Sequence, residues 1–501
     1  MSFKKDTLIT YAAQGYVSFV GFIFVPVFVV LLGEESFGLI SIFLMLQTWM
    51  YLLDMGLSNT LSRETSKFKT KKYSKKDFTR LLLFTKYFYI IISLLIVISF
   101  LALSNVFATQ WVKVESIPSE SVSYYFKIMG FVVCLRWLYV PLRSFLVGMG
   151  EFYCLSVVDV LSATLRTPVC ILFLLFFEGG VEEYFIAQLI VSVFTFLVFL
   201  LLYKIKINDL ISSKVDTESD IEIKFSEAVK FAMQMFFTVL VWMLISQFDK
   251  LYLSQLLSLT LYGYLSIAIL ISGIITLISA PFSVVFLPKL VELIASERYT
   301  EYTSFYLKSA NILLSLLLPT CLIIALFSSD ILYIWTGSED IAGYGAEITS
   351  LYALGNMFLL INAFAYYIQY SYGQLKLHVL STIFAALICV PTFIYMGENY
   401  GAVGTGWVWL GYNIIFTFFW LPYIQIRFLG TLVARVFFFR TVGLLVTNTA
   451  IGLGLRYLSP DLHGLYQLIY IGVCLLIMVL INFLTSSDTY NLLRSFLMKA
   501  R

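Results

Sequence analysis

Apolar runs of about 20 residues or more, the length that crosses a bilayer's hydrocarbon at 1.5 Å rise per residue, recur along the whole chain. Short clusters of charge, glycine and proline separate them. Backbone N–H and C=O groups in hydrocarbon must be satisfied within their own segment, so these runs predict helices rather than strands. They give about fourteen candidate spans, at 7–32, 37–61, 81–108, 123–149, 155–177, 185–203, 227–253, 261–287, 306–328, 346–370, 378–397, 402–423, 441–458 and 465–485. The predicted fold class is all-α integral membrane. The first run follows Lys4-Lys5 without a small-residue cleavage site and is too long for a signal-peptide core, so it reads as a retained helix.

Composition agrees with this pattern. Of 501 residues, 60% are hydrophobic and 13% charged, more apolar surface than a soluble globule can hide. A net charge of +3 gives no reason to expect nucleic acid. Cys134, Cys154, Cys170, Cys321, Cys389 and Cys474 fall in or beside apolar runs without a C-x-x-C pair, which argues against a disulfide framework or a zinc site. His378 and His463, near span ends, are too isolated for a metal.

The distribution of charge sets the expected topology. Connections on one side hold Lys4, Lys5, the run from Arg63 to Arg80, Lys204, Lys206, Lys289, Arg298, Lys376, Arg427 and Arg435, whereas the other side holds Lys113 and mostly acidic residues such as Glu34, Glu35, Glu178, Glu339 and Glu398. Lysine and arginine favour the cytoplasmic side, so both termini are expected there. Setting topology is role enough for the Arg63–Arg80 run, and binding anionic headgroups or the polar end of a substrate is the alternative.

An internal repeat divides the chain. Residues 32–42 (LGEESFGLISI) match 257–267 (LSLTLYGYLSI) at a constant offset, aligning Gly38 with Gly263 and Phe37 with Tyr262. Both copies start on the same side, which predicts two parallel six-helix bundles related by an axis along the membrane normal. The expected boundaries are 1–203, a cytoplasmic linker at 204–226, a second bundle at 227–425, and two further helices with a tail at 426–501.

Ionisable groups within spans are costly unless paired or facing a wet cavity, which makes them functional candidates. Arg143 and Asp159 lie equally far from the turn near Glu151, and so do Arg136 and Arg166, roughly 22 Å along the helix from it. The first pair is expected to bond. The second is expected to face an aqueous cavity, where two guanidinium forks suit a diphosphate. The alternative is a charge network that only locks helices together. Asp249, Lys250, Asp54, Lys86 and Arg63 complete the candidates, with the lysines and Arg63 as substrate contacts and the aspartates for ion coupling or charge pairing.

The stretch 52–68 (LLDMGLSNTLSRETSKF), after Phe37-Gly38 and Gln47, resembles the second-helix signature of the polysaccharide transporter, or O-antigen flippase, family of the multidrug/oligosaccharidyl-lipid/polysaccharide exporter superfamily. Further blocks agree in order: QFDKLYLSQLLSLTLYGY at 247–264, Pro288-Lys289, YIWTG at 333–337, YYIQYSYGQLKL at 366–377 and GAVGTGWVWLGYN at 401–413. The resemblance implies two six-helix bundles around a V-shaped cavity in a bacterial inner membrane. It also implies a substrate, an oligosaccharide on undecaprenyl diphosphate, with membrane lipids, a polysaccharide polymerase and a chain-length regulator as partners.

No cofactor is expected, and proton or sodium coupling stays open. The rivals are a cation-coupled multidrug exporter of the same fold and a membrane polysaccharide polymerase. Arg136 and Arg166 argue against the first. The short outside loops, without a paired acid/base arrangement, argue against an enzyme such as the second.

Overall fold

The computed structural model describes residues 3–69, 75–212, 225–460, 462 and 464–485. Among them every regular element is helical, and one isolated parallel bridge pairs Lys113 with Ser258. Twelve helical stretches of the described residues are long and apolar enough to cross a membrane. One of the twelve, Lys376–Leu429, holds both expected spans 378–397 and 402–423, which meet as two helices at a kink where Gly401 leaves helical geometry at φ 59° and ψ −142°. The expected span 227–253 is not among the twelve, and a break at Gln247 divides it.

The chain divides into two units, Met1–Gly263 and Tyr264–Arg501. The division falls later than the expected linker, of which 204–212 continue a helix and 213–224 lie outside the described residues.

Unit 1 carries α1 (Phe3–Ile23), α2 (Val25–Leu32), α3 (Glu34–Met50), α4 (Leu57–Lys69), α5 (Lys75–Val106), α6 (Ser119–Met149), α7 (Phe152–Thr164), α8 (Cys170–Phe177), α9 (Val181–Ser212), α10 (Phe225–Ser246), α11 (Phe248–Leu256) and the start of α12 (Leu259–Ser272). The second expected span, 37–61, is not continuous. A single 3₁₀ turn, Tyr51–Asp54, follows α3, and Met55 and Gly56 then turn through φ 48° and 70° before α4 begins. As a result Arg63, Lys67 and Lys69 sit on a helix, while residues 70–74 of that basic run lie outside the described residues.

The packing of α4 on α6 needs small residues. A Cβ on Gly148 would lie 2.5 Å from the Ser62 carbonyl oxygen and 2.6 Å from Thr65 Cβ. Phe68 of α4 stacks on Phe78 of α5 at 4.0 Å between centroids, in a core with Phe145, Leu146 and Phe199. Lys69 Nζ donates to the Met149 carbonyl at 2.6 Å and Lys206 pairs with Glu151 at 2.6 Å, which ties down the α6–α7 turn.

Unit 2 continues with α13 (Ile274–Ala295), α14 (Tyr299–Leu326), α15 (Ser328–Thr336), α16 (Glu339–Ser371), α17 (Lys376–Ile415), α18 (Leu421–Leu429), α19 (Thr431–Tyr457) and α20 (Leu465–Thr485). The last two are the extra C-terminal helices, and buried amides dock them on α14. Asn448 and Asn482 exchange hydrogen bonds at 3.1 Å, and Asn482 Nδ2 also donates to the Ser315 carbonyl at 2.9 Å. Between lipid-immersed helices, such polar and close-packed contacts replace the hydrophobic effect as the cohesive force.

Gly148→Ala is expected to lower stability. The better helix propensity of alanine, about 1 kcal/mol, is outweighed by overpacking against backbone, about 1 to 3 kcal/mol. A thermal-denaturation midpoint in detergent at or above that of the unmodified protein would refute this close approach.

Candidate functional site

Arg136 of α6 is the centre of a polar cluster inside unit 1. Its guanidinium donates to Gln47 Oε1 of α3, to Gln188 Oε1 of α9 at 2.7 Å and to Ser192 Oγ of α9 at 3.3 Å. Gln188 and Ser192 are four apart and therefore share a helix face. The guanidinium carbon also stands 5.5 Å from the centre of the Phe43 ring, within cation–π range. Arg136 is thus tied to two other helices by side-chain acceptors.

The same cluster reaches Arg166. Between α7 and α8 the chain makes a π-helical turn, Leu165–Val169, that contains Pro168. Such turns loosen the backbone ladder, and proline removes a donor from it. Gln188 Nε2 donates to the Arg166 carbonyl at 3.0 Å, so one amide side chain touches both arginines. Arg166 Nε donates to the Ser162 carbonyl at 3.1 Å. Among the described residues Arg166 makes no ion pair and uses neither of its Nη groups, which leaves both directed donors for water or a ligand. Gln47 Nε2 is likewise buried without a partner.

The other candidates have different surroundings. Arg143 Nη2 pairs with Asp159 Oδ2 at 2.9 Å. Asp54 is buried and accepts the Ser58 amide at 3.3 Å, the Ser58 hydroxyl at 2.8 Å and the Tyr89 hydroxyl. In this position it caps the first turn of α4, where a carboxylate also suits the helix dipole. Lys250 bonds both oxygens of the fully buried Asp249, at 3.0 and 3.1 Å, and the Ser246 carbonyl at 2.6 Å, so these neighbours compensate one another. Lys86 is exposed, with Nζ 5.8 Å from the Tyr87 ring centre. Arg63 and Lys67 both bond the buried Glu64. His378 packs on Tyr366, and His463 lies outside the described residues.

Sequence reasoning missed a second structure in unit 1, at the end of the bundle opposite the N-terminus. The two repeat copies touch there. A Cβ on Gly263 would lie 3.1 Å from the Gly38 nitrogen, and a Cβ on Gly38 would overlap the Leu259 carbonyl oxygen. The strap between α5 and α6 closes over this contact. Lys113 Nζ donates to the Leu256 carbonyl at 2.7 Å, Trp111 Nε1 to Ser254 Oγ at 3.0 Å, and the Leu259 amide to the Lys113 carbonyl at 3.0 Å. Buried Glu35 accepts the Glu115 amide at 2.6 Å and the Ser116 amide and hydroxyl, which folds the strap around it. The matching glycines were the available signal, but their contact was not legible from the repeat. Glu35 read only as one acid among several.

A family model described as polysaccharide biosynthesis protein matches residues 3–294. The chain belongs to that family. No curated protein matches it in sequence. Among solved structures it is similar to lipid II flippase MurJ in an inward closed conformation, with 16% identity over 95% of this chain and 97% of that one and a TM-score of 0.70. It is also similar to an inward-facing multidrug resistance MATE family transporter of the MOP superfamily, with 15% identity over 87% and 96% of the two chains and a TM-score of 0.61. At these identities what the chain shares with them is the fold.

Asp54→Ala is expected to cost on the order of 2 kcal/mol or more, because it removes a helix cap and strands the buried Tyr89 hydroxyl. Asp54→Asn keeps the cap acceptor and is expected to retain most of that stability in the same denaturation assay. Equal destabilisation by Asn and Ala would count against capping as the role of this residue.

Proposed function

We propose that the chain is a flippase carrying an undecaprenyl-diphosphate-linked oligosaccharide, such as an O-antigen repeat unit, from the cytoplasmic to the periplasmic leaflet by alternating access. The observation that carries this reading is the Arg136–Gln188–Arg166 cluster. It presents fixed cationic donors inside a membrane-spanning bundle, where hydrocarbon alone would exclude a diphosphate. Family membership and a fold shared with a lipid II flippase support the same substrate class. The excess of lysine and arginine on one side supports cytoplasmic termini.

In this mechanism the sugar headgroup follows the polar interior while the polyprenyl tail stays in lipid. Arg166 offers paired Nη donors to phosphate oxygens, and the Gln47 and Gln188 amides hold Arg136 beside them. The glycine contact and the Glu35 strap close the periplasmic end of unit 1 in this state, and release requires that end to part. The sequence carries no nucleotide-binding glycine loop, which argues against direct ATP drive and leaves proton or sodium coupling open. A polymerase and a chain-length regulator act on the product.

In cells lacking the gene, lipid-linked oligosaccharide is expected to accumulate on the cytoplasmic leaflet. Complementation with Arg166→Ala should insert normally yet slow flipping about 10-fold or more, the effect of losing charge-assisted hydrogen bonds. Full transport by that variant would reject the cluster. Normal flipping with blocked chain extension in the deletion strain would instead point to a polymerase, and loss of cationic-drug efflux alone to a multidrug exporter.

A further inference from the structure

Unit 2 carries an open apolar groove of about 520 Å³ between the first turns of α17 and the start of α18. Leu377 and Phe384 form one wall, and Phe416, Phe419, Trp420 and Tyr423 form the other. The second wall owes its shape to a π-helical turn, Phe416–Trp420, which runs directly into α18 with Pro422 in its first turn. The extra residue in that turn and the donor missing at proline displace the aromatic side chains from a regular helical stripe. Phe384 and Phe419 remain 65% and 74% exposed, so none of the described residues of unit 2 covers these walls.

One end of the groove is basic. Tyr372, in the turn before α17, donates its hydroxyl to the Phe428 carbonyl at 3.3 Å and packs on the Phe428 ring at 5.0 Å between centroids. This contact joins the beginning of α17 to the end of α18. Lys376 immediately precedes the groove residue Leu377, and Arg427 Nη1 donates to the hydroxyl of groove residue Tyr423 at 2.8 Å. Both cations are exposed, and neither makes an ion pair among the described residues. Two such cations at the mouth of an apolar slot match an amphiphile with an anionic head and a long chain. Both also belong to the side that charge asymmetry makes cytoplasmic. In a bilayer, phospholipid is the solvent and fills any accessible slot by mass action, and the two cations then select among headgroups.

We propose that this groove is a site for an anionic bilayer phospholipid, with one acyl chain against the aromatic wall and the phosphate held by Lys376 and Arg427. The site lies on α17 and α18 and involves none of the arginines of unit 1, so it stands or falls independently of the flippase reading.

The test uses the full chain in phosphatidylcholine nanodiscs containing phosphatidylglycerol, with bromine on the acyl chains of one lipid or the other. The signal is the fluorescence of Trp420, taken as the difference between the unmodified protein and Trp420→Phe. Brominated phosphatidylglycerol is expected to quench that signal more than brominated phosphatidylcholine at the same mole fraction. Lys376→Gln with Arg427→Gln should abolish the preference and leave quenching by phosphatidylcholine unchanged. Each single substitution, read alongside, should weaken the preference and keeps the comparison intact if the double variant folds poorly. Equal quenching by both lipids in the unmodified protein, or a preference that survives both substitutions, overturns the proposal. Relief of quenching by undecaprenyl diphosphate at concentrations equal to phosphatidylglycerol also overturns it, because the groove would then belong to the tail of the transported lipid.

Discussion

A guanidinium in the interior of a membrane-spanning bundle must be hydrogen-bonded, because an unsatisfied charge in hydrocarbon is costly. In unit 1 the amides of Gln47 and Gln188 and the hydroxyl of Ser192 accept from Arg136. Gln188 also donates to the Arg166 carbonyl in the π-helical turn, so one side chain fixes the spacing of both arginines. The helix irregularity at Leu165–Val169 is part of this device, since a looser ladder leaves room for a side-chain donor.

Elsewhere charge is handled in the opposite way. Arg143 with Asp159 and Lys250 with Asp249 are ion pairs, and Asp54 is spent on a helix end and a tyrosine hydroxyl. Removing one member of a buried pair leaves an uncompensated charge, so such residues are sensitive to mutation whether or not they touch substrate. A loss of transport on substituting Asp249 therefore says little about chemistry. The same loss at Arg166, which stands outside any ion pair among the described residues, says much more.

The glycine contact shows how an internal repeat becomes a mechanical feature. Two helices that begin with matching sequences meet where neither carries a Cβ, and the backbones approach within side-chain distance. In lipid, where apolar burial between helices adds little, close backbone approach is a main source of cohesion.

Several features were legible in the order of residues alone. Apolar run length and the absence of water in hydrocarbon dictated helices. The spacing of Arg136, Arg143, Asp159 and Arg166 about Glu151 put each pair at one depth, because two antiparallel helices rise equally from a shared turn. Ordered motifs pointed to the family whose model matches residues 3–294. The breaks at Tyr51–Asp54 and Gln247 were not legible, because hydropathy reports burial in lipid and not backbone geometry. Nor were the partners of each charge. Which residue receives a hydrogen bond depends on the rotation of a helix about its axis and on its neighbours in space, and Gln47, Gln188 and Ser192 are scattered over two helices far apart in the chain. Residence in a membrane, the alternation of segments and the depth of each charge thus come from the residues in their linear order, through segment length and solvation. Which charges are compensated and which stay open comes from the folded bundle, because packing sets every partner.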